Sequence, residues 1–326
     1  MTVLVFAKYV TCRTRMFSSY AHLLSISVLK SSLVAVSLDT AALLFSSHRA
    51  GTNMASTSNG VTTNTPPMAK PRSFEVNGFR ITTQKRPILK AEPIEQMTQR
   101  VGIPIPEMIF GDNHVTIEHI PSRFGVRFTA FGALDSVDKT GEKRLKLSYS
   151  ADWHKSREDQ HDFKEMEEVK PYDWSYSPQQ YRGELSETGP GLAEGDTEIP
   201  LDLLKRPDPI LFFDDVILYE DELADNGIAM FNVKVRVMPA RLLLLSRFFM
   251  RLDNVLIRVR DTRVYIDFDR RWVVREYTEK EKDYEAVREQ LAGRRVDVSA
   301  AMRDANQMAE ILPVTKRVVD EVTLPG

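Results

Sequence analysis

Residues 228–238 read Ile-Ala-Met-Phe-Asn-Val-Lys-Val-Arg-Val-Met, and their alternation decides the fold class. Met230, Asn232, Lys234 and Arg236 fall on one parity, with Phe231, Val233, Val235 and Val237 on the other. Successive strand side chains point to opposite faces, so this is the pattern of a half-buried antiparallel strand. Pro239 stops it. Upstream, Ile210–Tyr219 reads as a buried strand interrupted by Asp214-Asp215. Downstream, Arg241–Leu252 admits either a buried helix or a strand. We favour the strand, because Asp253-Asn254 then forms a hairpin turn into Val255–Val259. Asp261-Thr262 is expected to turn the chain once more into Arg263–Phe268, which places Arg260, Asp261 and Thr262 at an exposed tip. Trp272–Tyr277 follows as a strand, and Thr278–Leu291 reads as a helix with many i,i+4 charge pairs.

The preceding segment is patterned in shorter pieces. Phe74–Thr83 alternates around Asn77-Gly78, a strong hairpin dipeptide. Pro93 suits the first turn of a helix in which Ile94, Met97 and Val101 share a face, with Pro104 and Pro106 ending it. His114–Ile120 and Arg123–Phe131 are β-rich runs joined by Pro121-Ser122. Residues 150–168 are densely charged and read as a solvated helix or loop, and residues 184–200 as a surface loop. The expectation is an α+β fold, a single domain over residues 71–326, mainly an antiparallel meander with a few flanking helices.

Residues 1–53 are foreign to this pattern. They are rich in Ser, Leu, Ala and Val, and Asp39 is the only acid against Lys8, Arg13, Arg15, Lys30 and Arg49. Such a segment reads either as a transit peptide or as translated upstream sequence with the working start at Met54 or Met68. Residues 1–70 are therefore set apart as a disordered or non-native extension.

Composition narrows the function. Across 326 residues, 44 Lys+Arg face 46 Asp+Glu, a net charge of −2, which argues against nucleic-acid binding. No apolar run reaches the roughly 18–20 residues that cross a bilayer, so no membrane partner is expected. The single cysteine, Cys12, rules out an intramolecular disulfide, and the body lacks a thiol nucleophile or a Cys-based zinc site. Phosphate-binding glycine loops and a Gly-x-Ser-x-Gly elbow are absent from the sequence. The one enzyme-like stretch is Gly111-Asp112-Asn113-His114, which a metal-dependent phosphoesterase could use. Only His114, His119, His154 and His161 accompany it in the body, too few for a two-metal site, and a tight turn before a strand is the favoured reading. Neither a metal nor a cofactor is expected. Asp214 and Asp215, adjacent on a strand, point to opposite faces and cannot form one acid–base pair.

The remaining signals are those of recognition. Lys170-Pro171-Tyr172-Asp173-Trp174-Ser175-Tyr176 concentrates three aromatics, which give large contact area at low conformational cost. The acidic run Glu220-Asp221-Glu222 through Gly227 and the basic run Arg258 through Arg263 are oppositely charged turn segments, each either a solvated hairpin tip or half of a charge-complementary docking face. These segments, with Pro106–Asn113, Val235–Pro239 and Arg275–Tyr277, carry a resemblance. The chain resembles the TIPRL family of TOR-pathway regulators from about Phe74 to Tyr277, with motifs in the same order. The resemblance implies a non-enzymatic protein that binds type 2A protein phosphatase catalytic subunits. It also implies an inhibitory effect in animals, a phosphatase-associated partner protein in the TOR pathway, and residence in the cytoplasm and nucleus. Asp112, Asn113, Tyr172, Asp173, Trp174, Asp221, Glu222, Arg260, Asp261 and Arg263 are the expected partner-binding residues. Under this reading, upstream translation is favoured over a transit peptide for residues 1–53. A metal-dependent phosphoesterase using Asp112 and His114, and a generic scaffold, remain the alternatives.

Overall fold

Two antiparallel sheets organise the chain, and the larger is the meander that the alternating sequence foretells. The computed structural model describes residues 4–6, 70–140, 147–149, 176–223, 226–294 and 296–326. Of residues 1–70 it describes only 4–6 and 70, so the expectation for that extension lies outside the described residues, as does that for 150–168. Strand β1 (Leu4–Phe6) pairs with β7 (Leu147–Tyr149) in a small separate sheet. The rest of this section concerns residues 70–140 and 176–326.

The five-stranded sheet opens with β2 (Arg72–Val76) and β3 (Phe79–Gln84). Asn77 and Gly78, at φ 48° and 79°, form the two-residue turn between them, as their sequence requires. Helix α1 (Ala91–Val101) follows, with Pro93 in its first turn and Gly102 at φ 79° closing it. The chain then passes through β4 (Met108–Ile109), β5 (His114–His119) and β6 (Phe124–Thr129). The expected run Arg123–Phe131 stops early, because Thr129 Oγ1 accepts from Gly132 N–H and caps α2 (Ala130–Asp135). Two short strands, β8 (Glu184–Leu185) and β9 (Ala193–Glu194), lie in the expected 184–200 surface segment, and α3 (Leu201–Leu204) follows it.

The eight-stranded sheet is built from β10 (Phe212–Asp221), β11 (Gly227–Val237), β12 (Arg241–Leu252), β13 (Leu256–Asp267), β14 (Trp272–Asp283) and β15 (Val314–Thr323). Its order is β4-β10-β11-β12-β13-β14-β15-β9, and that of the smaller sheet is β2-β3-β5-β6-β8. The hairpin turn at Asp253-Asn254 is present, with Asn254 at φ 61°. Strand β12 is buried on both parities because both faces of the sheet are covered.

One face meets the smaller sheet. There Phe79 lies against Phe268, and Tyr181 meets Phe128 and Phe231 edge-on, at 6.0 Å each. The other face is covered by α4 (Tyr284–Ala292), α5 (Val298–Ala301) and α6 (Ala305–Ile311). Their Val287, Leu291, Ala301, Met308 and Ala309 pack with Phe249, Ile257 and Val259. Further along the same face Ile199, Tyr265, Val274 and Val319 form a second cluster. Full burial of each large apolar side chain contributes roughly 1.5–3 kcal/mol, so these layers are the main source of stability.

Two expectations are corrected. First, Asp261-Thr262 is no turn. Strand β13 runs unbroken, with Asp261 opposite Arg247 on one side and Thr278 on the other. Neighbouring strands on both sides satisfy its peptide groups, which outweighs the turn propensity of Asp. Second, Thr278–Asp283 extends β14, and the helix begins only at Tyr284, where the Asp283 side chain accepts from Ala286 N–H.

Candidate recognition site

A strap of irregular chain, residues 176–183, crosses the face of β10, β13 and β14, beginning at the last residue of the aromatic run 170–176. Side chains from three strands hold it, mostly through its backbone carbonyls. Tyr219 Oη donates to Tyr176 O at 2.9 Å, and Arg258 Nη1 to Ser177 Oγ at 2.6 Å. Arg260 Nη1 donates to Pro178 O, Thr262 Oγ1 to Tyr181 O at 2.9 Å, and Arg275 Nη1 to Arg182 O at 3.1 Å. On its other side the strap is tied to α2 and β6. Gln179 N–H donates to Ser136 O at 2.9 Å, and Tyr181 Oη accepts from Thr129 N–H at 3.0 Å. Burial pushes the Tyr181 hydroxyl pKa upward, with the nearby Glu184 carboxylate acting in the same direction, so it stays neutral.

The strap's backbone is unusual. Tyr176 and Gln180 have φ 58° and 48°, and Gly183 has φ 80°. Left-handed non-glycine residues persist where their surroundings over-determine them, as the hydrogen bonds from β10, β13, β14 and α2 do here. A cavity of about 610 Å³ opens beside the strap, bounded by Phe131, Gly132, Arg182, Glu184 and Arg275. Two of these residues are held by Asp320, which accepts from Arg182 at 2.6 Å and from Arg275 at 2.8 Å. Burial lowers the Arg275 pKa, and the Asp320 hydrogen bond opposes that shift. Rigid shape and paired charge suit this region for recognition.

The expected partner-binding residues are distributed differently from the sequence reading. Arg260 and Asp261, adjacent in β13, point to opposite faces. Arg260 is buried and holds the strap. Asp261 is 0% exposed, on the helix-covered face, bound to Arg247 and Arg263. The exposed basic tip is thus absent, because its residues lie mid-strand in the sheet interior. Asp221 is likewise buried: its carboxylate accepts from Glu107 N–H and Leu223 N–H, while Glu222 is exposed. Burial raises the Asp221 pKa, against the pull of those two hydrogen bonds.

Asn113 closes the edge of the large sheet. Its Nδ2 donates to Ile217 O at 2.7 Å, and its Oδ1 accepts from Arg86 N–H. Asp112 O accepts from Gln84 Nε2 at 2.8 Å, with His114 Nδ1 at 3.4 Å. Asp214 and Asp215 do part to opposite sides. Asp214 accepts from Thr83 Oγ1 at 2.6 Å and pairs with Arg72 and Lys85, whereas Asp215 pairs with Lys234. Tyr172, Asp173 and Trp174 lie outside the described residues. Among the described residues no group of three or more His, Cys, Asp or Glu side chains gathers as metal ligands, and no helix is long and apolar enough to cross a membrane.

Sequence reasoning missed the strap. Its signal was present, since Arg258, Arg260 and Thr262 occupy one face of a strand with no apolar residue among them, and such a face needs polar partners.

The sequence profile of the TIP41-like family matches residues 108–288, which includes the strap and the strands that hold it. The chain belongs to the TIP41-like family. This TIP41-like chain is 39% identical over 271 residues to the Saccharomyces cerevisiae protein named "Type 2A phosphatase activator TIP41", covering 78% of this chain and 75% of that one. It is 35% identical over 258 residues to the Homo sapiens "TIP41-like protein", covering 78% and 90%. The Schizosaccharomyces pombe protein named "Type 2A phosphatase activator tip41" is 34% identical over 250 residues, 75% of this chain and 95% of its own length. The resemblance drawn from the motifs is thereby established at the level of the family.

Proposed function

We propose that this TIP41-like chain is a non-enzymatic regulator that binds the catalytic subunit of a type 2A protein phosphatase and modulates its activity. The observation that carries the reading is the alignment of at least 75% of the chain with two proteins named type 2A phosphatase activator. The strap supports it physically, because a loop over-determined by hydrogen bonds presents neighbouring side chains without a large ordering cost on binding. The proposal includes action in TOR signalling alongside a phosphatase-associated protein, in the cytoplasm and nucleus. Inhibition is the direction the motif resemblance implies, and activation is the direction the fungal names favour.

The test is titration of the purified full chain into a type 2A catalytic subunit, followed by calorimetry and by phosphopeptide turnover. A saturable complex with changed turnover is expected, and the sign of that change decides between inhibition and activation. Absence of a complex at micromolar concentration would overturn the reading.

A further inference from the structure

The large sheet ends in an incompletely paired edge at β15. This strand pairs with β14 along its length, but on its outer side β9 covers only Asp320 and Glu321. Gly195 N–H donates to Val319 O at 3.0 Å, so the peptide groups of Val319 point away from β14. In an antiparallel strand this direction alternates, and Arg317, two residues earlier, therefore also presents its N–H and C=O outward. Among the described residues no main-chain group meets them. Around this opening Val314 is 54% exposed, Arg317 is exposed and Lys316 is half-buried.

The charges at this edge choose between occupants. Lysine and an irregular register, here between Glu279 and Lys280, are common devices that keep an edge from pairing indiscriminately. A second copy of the chain would set Lys316 and Arg317 against the same two cations. A strand carrying carboxylates would instead meet Lys316 and the cationic end of the cluster in which Arg263 and Arg317 share the single carboxylate of Glu276, and would satisfy the Arg317 peptide groups. Strand β9 shows that this edge already accepts an antiparallel neighbour two residues further on.

We propose that the Val314–Val318 edge of β15 is a docking site for an extended acidic segment of a partner protein, added as an antiparallel strand beyond the end of β9. The proposal stands apart from the phosphatase reading, since the edge selects by backbone and charge.

A fluorescein-labelled Glu-Val-Glu-Val-Glu-Val peptide and its Lys-Val counterpart, titrated against the full chain, test it. The acidic peptide is expected to bind at least tenfold more tightly, and hydrogen exchange at the Arg317 amide should slow when it does. Arg317→Pro removes the outward N–H, at a position that tolerates proline, together with the guanidinium bound to Glu276, and should weaken binding at least tenfold. Arg317→Gln loses the same ion pair but keeps the N–H, and should weaken it less. Equal binding of both peptides, unchanged Arg317 exchange in the wild-type complex, or concentration-dependent dimerisation that blocks the acidic peptide would each overturn the assignment.

Discussion

The Asp261 carboxylate is clamped by the Arg247 guanidinium, with Nε and Nη2 each 2.7 Å from a separate carboxylate oxygen. Arg263 Nη2 adds a third contact at 3.1 Å, and Arg247 Nη1 reaches on to Asn306 Oδ1 at 2.8 Å. Through Arg263 to Glu276 and from Glu276 to Arg317, the polar seam runs from α6 to the outer edge of β15. Replacing such a seam by apolar groups can be neutral, but removing one member leaves a buried charge unpaired.

Asp261→Ala is therefore expected to destabilise the fold by about 3–5 kcal/mol, because Arg247 and Arg263 lose their shared counter-charge. At this size each kcal/mol corresponds to roughly 2–4 °C, so the melting temperature followed by circular dichroism should drop by on the order of 10 °C. Asp215→Ala, whose partner Lys234 is well exposed, is the control and should shift it by less than about 3 °C. Equal shifts for the two variants would show that the seam is energetically inert.

Tyr181→Phe keeps the ring contacts with Phe128 and Phe231 but leaves Thr129 N–H without its acceptor. An unsatisfied buried donor costs about 1–3 kcal/mol, which a urea melt would register as a lower midpoint at unchanged slope. If strap position matters for phosphatase binding, affinity should fall further than the lost stability explains.

Gly183→Ala should be more damaging than an ordinary surface change. At φ 80° an added Cβ would lie 2.8 Å from Val126 Cγ2 and 3.1 Å from Arg127 O. Backbone strain of about 1–3 kcal/mol is expected together with the steric overlap. A variant with wild-type melting behaviour would mean that the strap relaxes freely away from β6.

Stability should decline as the medium is acidified from about pH 7.5 to about pH 5.5. His119 is buried against Phe79, and that burial, aided by the Arg271 charge, lowers its pKa below the ordinary 6.5. His114 is lowered too, by burial and then by Arg127. A histidine with a depressed folded-state pKa contributes stability that is complete above the unfolded value. That contribution is lost as pH falls from 6.5 toward the folded value, by at most about 1.4 kcal/mol per unit for each group. The double variant His114→Gln, His119→Gln should flatten the slope of urea midpoint against pH; an unaltered slope would assign the effect to other groups.

The long strands were legible in the sequence because period-two alternation survives whatever packs on either face. Phe231, Val233, Val235 and Val237 are buried as their parity demands, and Asn77-Gly78 makes its turn because the left-handed conformation it needs is encoded locally. The chain alone likewise identified the family, since several motifs occur in one order. Tertiary structure decided the fate of Asp261. Asp-Thr carries a local preference for a turn worth tenths of a kcal/mol, whereas pairing on both sides of β13 and two guanidiniums supply several. The strap was hidden for the same reason: its bonds join residues 43 to 93 positions apart, and no local pattern records which distant side chain will satisfy a carbonyl.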